Sequence, residues 1–241
     1  EGGDHEINKD EAIKAAKFLG DKAYSGNTED RWYSSTVDKD FVDKIDTADL
    51  DEALKACETM LKYQNNADHS MGDGLDMSNM NNAGEAIGML LRRDDYRDRC
   101  ADLIKSNMIP TAEKSMGVAR QSLEQDEPED EREEDFEHRV QSVAVEECNS
   151  RLYETISMSD RCKKHADQDN QESLRETAKD LAMTAHKELS TLLGSLTEEA
   201  WGRVKRDEKV RSALSRNIKR LEESMSENEV EFDSLLDKVE K

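Results

Sequence analysis

The feature that most constrains this chain is an apolar stripe near its C-terminus. Its positions follow one another at alternating spacings of four and three residues, namely Leu214, Ile218, Leu221, Met225, Asn228, Phe232, Leu235 and Val239. This spacing predicts a long amphipathic helix, because side chains three and four residues apart lie on the same helical face. An apolar face of this length must be buried, so other helices of the chain or a partner have to cover it.

Composition extends the helical prediction to the whole chain. Of the 241 residues, 38% are charged and 5% are aromatic, and there are only two prolines. Such a composition is typical of long helices around a narrow core. Three further stripes, at 50–61, 87–104 and 140–162, would cover the C-terminal one. We therefore predict an all-α fold, an elongated antiparallel helical bundle with a long C-terminal amphipathic helix, which is a monomer in solution.

We expect one helical domain over residues 1–241. Residues 1–47 form a segment that packs across the end of the bundle. Residues 48–166 form a run of helices, and 171–240 form the long C-terminal helices. Two connectors are predicted within the middle run, a polar loop at 65–82 and an acidic turn at 124–131. The C-terminal helices are expected to break near Gly194.

Local signals predict where individual helices start and stop. Asn8–Glu11 and Ser195–Glu198 have the pattern of capping boxes, in which side chains satisfy the first free backbone donors of a helix. Pro110 lacks a backbone donor and clashes with the preceding turn, so we expect a kink or a break at 108–110. From Ser195 onward the chain is expected to stay helical through the C-terminal stripe.

Two segments of opposite charge are the candidate surfaces for binding a partner. Ten of the fourteen residues at 124–137 are acidic, whereas 203–220 holds eight basic side chains against two acids. The acidic run is either a solvated turn or a docking site for a basic partner. The basic segment either packs beside acidic helices of the same chain or binds a partner. The candidate partner-binding residues are Glu124, Asp126, Glu127, Glu129, Asp130, Arg203, Lys205, Arg206 and Lys209.

Several function classes are disfavoured by charge and by missing motifs. The formal net charge of −22 repels nucleic acid and anionic membranes, and no apolar run approaches the ~20 residues that span a bilayer. The sequence holds no P-loop, no G-x-S-x-G and no H-E-x-x-H pattern. Cys162-x-x-His165 lacks the second close pair that a structural zinc site needs. We expect a non-enzymatic protein with no cofactor, no metal, no nucleic-acid partner and no membrane insertion.

The four cysteines are Cys57, Cys100, Cys148 and Cys162. An even number is consistent with disulfides and a location outside the cytosol, and the alternative is four buried thiols in a cytosolic helical protein. On one helix Cys148 and Cys162 are ~21 Å apart, too far to bond. In a hairpin centred on residue 131, Cys100 and Cys162 lie at the same height. Cys57–Cys148 then follows by elimination, and Cys57–Cys100, centred on the polar loop, is the rival pairing.

Long acidic helices, these four cysteines and the C-terminal stripe together resemble secreted or surface proteins that parasites and blood-feeders present to a host. Trypanosome invariant surface glycoproteins and helical salivary proteins of mosquitoes are examples. The resemblance implies an extracellular protein whose partner is a host immune or haemostatic component. The chain departs from a heavily glycosylated surface protein in having no N-x-[ST] sequon. Because it begins at Glu1 without a signal-like apolar segment, we also expect a mature or trimmed product.

The function favoured by these observations is the binding of another protein outside the cell, without catalysis. One alternative is a cytosolic helical scaffold or coiled-coil adaptor, in which Asn228 fixes the register of a two-chain stripe. If the chain covers the stripe itself, as we expect, Asn228 lies at the edge of the bundle or finds an internal polar partner. The other alternative is a carrier of a small apolar ligand whose flexible mouth is lined by Met60, Met71, Met77 and Met80.

Overall fold

The computed structural model describes residues 7–25, 36–37, 47–64, 86–88, 90–126, 128 and 130–241. These residues are helical apart from loops and one short antiparallel bridge, in which β1 (Tyr24–Ser25) pairs with β2 (Thr36–Val37). The all-α prediction is confirmed. The chain divides into two compact units, Glu1–Asn107 and Met108–Lys241, where the sequence analysis expected a single domain.

The first unit contains the described helices α1 (Lys9–Ala23), α2 (Thr47–Gln64) and α3 (Arg97–Asn107). The expected capping box starts α1, since Asn8 Oδ1 accepts a hydrogen bond from the Glu11 amide at 3.0 Å. Helix α1 packs against α2, and the stripe of α2 is buried in the core of this unit. The polar loop predicted at 65–82 lies outside the described residues, as does most of the end-packing segment after Ala23.

The second unit is built from six helices in chain order, α4 (Ala112–Glu124), α5 (Glu133–Asp169), α6 (Glu172–Gly194), α7 (Glu198–Arg206), α8 (Glu208–Glu227) and α9 (Leu235–Glu240). Helix α4 runs antiparallel to α5, with Arg120 paired to Glu137 at one end. Helices α5 and α6 form an antiparallel hairpin in which Ser159 Oγ donates to the Ala178 carbonyl at 2.8 Å. Helix α8 contacts both members of that hairpin.

Two predicted breaks in the helices are confirmed, with one correction of detail. Helix α3 ends at Asn107 and α4 begins at Ala112, so the chain breaks around Pro110, and α6 ends at Gly194. The new start after Gly194 is capped by Thr197, whose Oγ1 accepts from the Ala200 amide at 3.2 Å. Ser195, which the capping-box pattern had chosen, instead follows the last residue of α6.

Burial of the C-terminal stripe is confirmed at most of its positions. The prediction that the stripe forms one long helix is wrong. Leu214, Ile218, Leu221, Met225, Leu235 and Val239 are all buried. The chain is nevertheless interrupted at Asp207, whose carboxylate caps the start of α8, and again after Glu227. There Glu229 has a φ of 57° and the Val230 amide donates to the Met225 carbonyl, which is a Schellman stop. Asn228 is half-buried and donates to the Ser224 carbonyl at 2.7 Å, a local polar partner.

A buried carboxylate on α8 holds the residues that follow the Schellman stop. Glu222 is 6% exposed and accepts hydrogen bonds from Ser234 Oγ at 2.7 Å and from the amides of Leu235 and Leu236 at 3.1 and 3.2 Å. His186 Nε2 lies 3.3 Å from the same carboxylate. Glu222 thus binds the first two free donors of α9, and Ser234 Oγ accepts from the third at 3.3 Å.

Candidate functional site

An open groove of about 670 Å³ lies on the second unit between α5 and α8. It is lined by Glu146, Asn149, Ser150 and Tyr153 of α5 and by Lys209, Val210, Ala213, Arg216, Asn217 and Arg220 of α8. Within each helix these residues follow one another at spacings of one to four, so each set forms one helical face. The face of α8 extends about 16 Å along the helix axis. We call this feature the α5–α8 groove.

The base of the α5–α8 groove is closed by an amide pair. Asn217 Nδ2 donates to both the backbone carbonyl and the side-chain oxygen of Asn149, at 3.0 and 2.9 Å. Asn149 is 7% exposed, so these bonds are shielded from water. Two hydrogen bonds from one amide fix the lateral spacing of α5 and α8, and the walls of the groove are therefore preorganised.

One end of the groove carries an ordered arginine beside an exposed ring. Arg220 Nη2 donates to Asp160 Oδ2 at 2.5 Å, and its guanidinium carbon lies 5.7 Å from the centroid of the Tyr153 ring. Ion pairing and the ring together orient the guanidinium. Tyr153 is 56% exposed, and in the described part of the chain only Met183, at 39%, is another large exposed apolar side chain. Exposed tyrosines beside arginine are typical of binding surfaces.

The groove is locally basic in a strongly acidic chain. Lys209 and Arg216 make no ion pair with any residue that the structure describes, whereas Arg220 is already paired. Glu146 is the one acidic side chain among the ten lining residues. Partial burial raises its pKa, with smaller contributions from Asp207 and Glu147. Three cations against one carboxylate therefore face the groove, while the whole chain has a formal net charge of −22.

The predicted basic residues separate into one that lines the groove and three that do not. Arg203 and Arg206 both lie 3.5 Å from the Glu199 carboxylate. Lys205 Nζ lies 5.3 Å from the Trp201 ring centroid, so it also contacts its own helix. Only Lys209 belongs to the groove.

None of the predicted acidic residues that the structure describes lines the groove. Glu124, Asp126 and Asp130 are exposed at the turn between α4 and α5, away from the residues that line the groove. Glu127 and Glu129 lie outside the described residues.

Sequence reasoning missed the aromatic and most of the cationic residues of the groove. Arg216 and Arg220 were counted in the basic segment but were not chosen, although they follow Lys209 at seven and eleven residues, on one helical face. Tyr153 had a weaker signal, since it directly follows Leu152 of the α5 stripe and so faces away from the core. Nothing in the sequence pointed to the Asn149–Asn217 pair, because the two asparagines are 68 residues apart in the chain and lie on different helices.

The disulfides predicted for Cys100–Cys162 and Cys57–Cys148 are absent, and all four cysteines are buried thiols. The expected hairpin about residue 131 does not extend far enough. Its first arm is α4, which begins at Ala112, whereas Cys100 lies on the separate helix α3, so no continuous helix joins Cys100 to that arm. Cys148 and Cys162 lie on the uninterrupted α5, which confirms that they cannot bond to each other.

Burial also makes two of these thiols poor nucleophiles. Burial raises the pKa of Cys57 well above its ordinary range, with a smaller contribution from Cys100. Burial likewise raises the pKa of Cys148 to about 11, partly opposed by the Ser115 hydroxyl. Because the thiolate is the reactive form, both side chains act as small core residues.

Two further sequence-based expectations concern ligands. Met60 is fully buried on α2, and Met71, Met77 and Met80 lie outside the described residues. Within the described ranges, no three histidine, cysteine or acidic side chains are grouped so that they could hold a metal ion. In the same ranges, no helix is both long and apolar enough to cross a membrane.

Comparison with known proteins gave no match, since no protein-family model, no curated protein and no solved structure is detectably similar to this chain.

Proposed function

We propose that the protein binds another protein through the α5–α8 groove and does so without catalysis. The observation that carries the proposal is the exposed Tyr153 beside Lys209 and Arg216, two cations that lack an ion-pair partner among the described residues. Tyrosine and arginine are enriched among the residues that contribute most to the binding energy of protein interfaces.

The rigidity of the groove supports the same proposal. The Asn149–Asn217 bonds hold the walls, and the Asp160 carboxylate orients Arg220. A partner that enters such a groove does not have to order these groups, so less free energy is lost on association. Arg220 and the adjacent Tyr153 ring then act as ordered contact points, and Lys209 and Arg216 add charge beside them.

The compartment is a separate part of the proposal. The resemblance to secreted and surface proteins favours the outside of the cell and a host component as the partner. The four buried thiols favour the alternative, a cytosolic helical scaffold, because thiols stay reduced in the cytosol. We propose the extracellular location on the resemblance alone. Alkylation of the native protein with and without a reductant tests it, since four thiols that react after unfolding without reductant would favour the scaffold.

Site-specific photocrosslinking tests the groove itself. A photoreactive phenylalanine analogue replaces Tyr153 in one sample and Met183, the exposed apolar control on α6, in another. Each variant is irradiated both in cells that make the protein and, after purification, in host serum and on host cells, so that an intracellular and an extracellular partner can both be captured. We expect a discrete protein adduct from position 153 that Arg216→Glu abolishes, and none from position 183. Equal adducts at both positions, or none at 153, would refute binding through the groove.

A further inference from the structure

Resting on that proposed function, we infer that the occupant of the α5–α8 groove is an acidic amphipathic α-helix of the partner protein. Two carboxylates of this helix, seven residues apart, face Lys209 and Arg216. Between them, an apolar side chain lies on Val210 and Ala213. The helix runs along the groove, beside α5 and α8.

The spacing of Lys209 and Arg216, which make no ion pair within the described part of the chain, selects a helix over an extended segment. Lys209 and Arg216 are seven residues apart on α8, which is about 10.5 Å along its axis. A partner helix reproduces this distance with residues at i and i+7, which share one face. An extended strand covers it in about three residues, and side chains three apart on a strand point to opposite faces. Only the helix presents both carboxylates to the groove at once.

The side chains between the cations suit close contact with a helix. Ala213 of α8 and Ser150 of α5 are small and both line the groove, so they leave room for the ridge of an approaching helix. Tyr153 supplies a broad apolar surface beside Arg220. An acidic helix with an apolar stripe complements this arrangement in both shape and charge.

The charge of the groove determines the charge that the partner must carry. The formal net charge of −22 belongs to the whole chain, but the Debye length is about 8 Å at physiological ionic strength. Carboxylates inside the groove therefore interact mainly with the charges that line it, which are Lys209, Arg216 and Arg220 against Glu146, and distant acids are screened. Nucleic acid is disfavoured as the anionic occupant, because its long phosphate backbone would extend over the surrounding acidic surface.

Binding of synthetic peptides to the whole 241-residue chain tests this inference. The probe is a helical, fluorescently labelled peptide with Glu at i and i+7 and Leu at i+3 and i+4. One control peptide has the same composition but moves the second Glu to i+5, on another face. A second control interrupts the helix with a central proline. Affinity is measured by fluorescence anisotropy at physiological ionic strength.

We expect the helical probe to bind at least about tenfold more tightly than either control, since two carboxylates pair only in the helical arrangement. Arg216→Glu should weaken binding by about tenfold or more, whereas Lys219→Glu should change it less than about threefold. Lys219 is the matched control, because it is an exposed lysine of α8 that does not line the groove. A probe carrying Lys at i and i+7 should bind the Lys209→Glu, Arg216→Glu double variant, which a merely misfolded variant would not do.

Three results would overturn the inference. If the proline peptide binds as tightly as the probe, the occupant is not a helix, and the proposed protein binding survives if the crosslink at position 153 forms. If no peptide binds at millimolar concentration, the acidic-helix occupant is wrong. If the chain alone forms a dimer that Arg216→Glu dissociates, the groove binds a second copy and not a partner. The proposed function itself fails only with the crosslinking result.

Discussion

Replacing Glu222 should release the C-terminal segment of the second unit. Its carboxylate accepts the Ser234 hydroxyl and the two amides that begin α9, and it is 6% exposed. In Glu222→Ala, the amides of Leu235 and Leu236 lose their acceptor while still buried or partly buried. They can regain hydrogen bonds only if the segment detaches and water reaches them.

The size of the effect follows from the contacts that remain. Without the Glu222 carboxylate, residues 230–241 keep the buried side chains Leu235 and Val239 and the contact of the Phe232 ring with His186, whose centroids lie 5.4 Å apart. Removing a buried charged acceptor costs about 3 kcal/mol.

Hydrogen exchange read by mass spectrometry measures this directly. A loss of about 3 kcal/mol should accelerate exchange of the amides in 230–241 by about a hundredfold, while α5 and α6 stay protected. Glu222→Gln keeps one carbonyl acceptor and should show an intermediate change. The matched control is Glu223→Ala, since Glu223 is the exposed neighbour on α8 and should change exchange little. Unchanged exchange in Glu222→Ala would refute the role given to this carboxylate.

Three further predictions concern backbone strain, an amine and a thiol. Glu229→Gly should raise the free energy of unfolding by up to about 1 kcal/mol in urea titrations, and Asn170→Gly by less, because both residues have positive φ but asparagine tolerates it better. Burial lowers the pKa of Lys114 to about 8 from its ordinary 10.5, so the unfolded chain binds more protons between these values and stability should rise with pH there. Lys114→Met should flatten that rise in thermal melts measured from pH 7 to 11, and an unchanged slope would assign it to another group. Cys148 should resist alkylation at pH 8 in the folded protein and react on unfolding, and rapid labelling of the folded chain would contradict its burial.

Much of the helical architecture was predictable because it depends on local chemistry. The 3.6-residue period placed the α5 and α6 stripes, and Pro110 marked the break before α4 because a missing donor acts at its own position. The Asn8 cap was readable for the same reason. The basic character of residues 203–220 was also visible, since it is a property of composition.

What the sequence by itself determined was which residues are buried, and the tertiary structure decided where helices end and which side chains meet. The C-terminal stripe shows the division most clearly, because Leu235 and Val239 are buried as the heptad spacing required, yet they lie on a separate short helix. That break depends on Glu222, thirteen residues before Leu235, whose carboxylate binds the donors that a continuous helix would have satisfied internally. The groove depends on a contact between Asn149 and Asn217, and no local pattern encodes a pair so far apart in the chain.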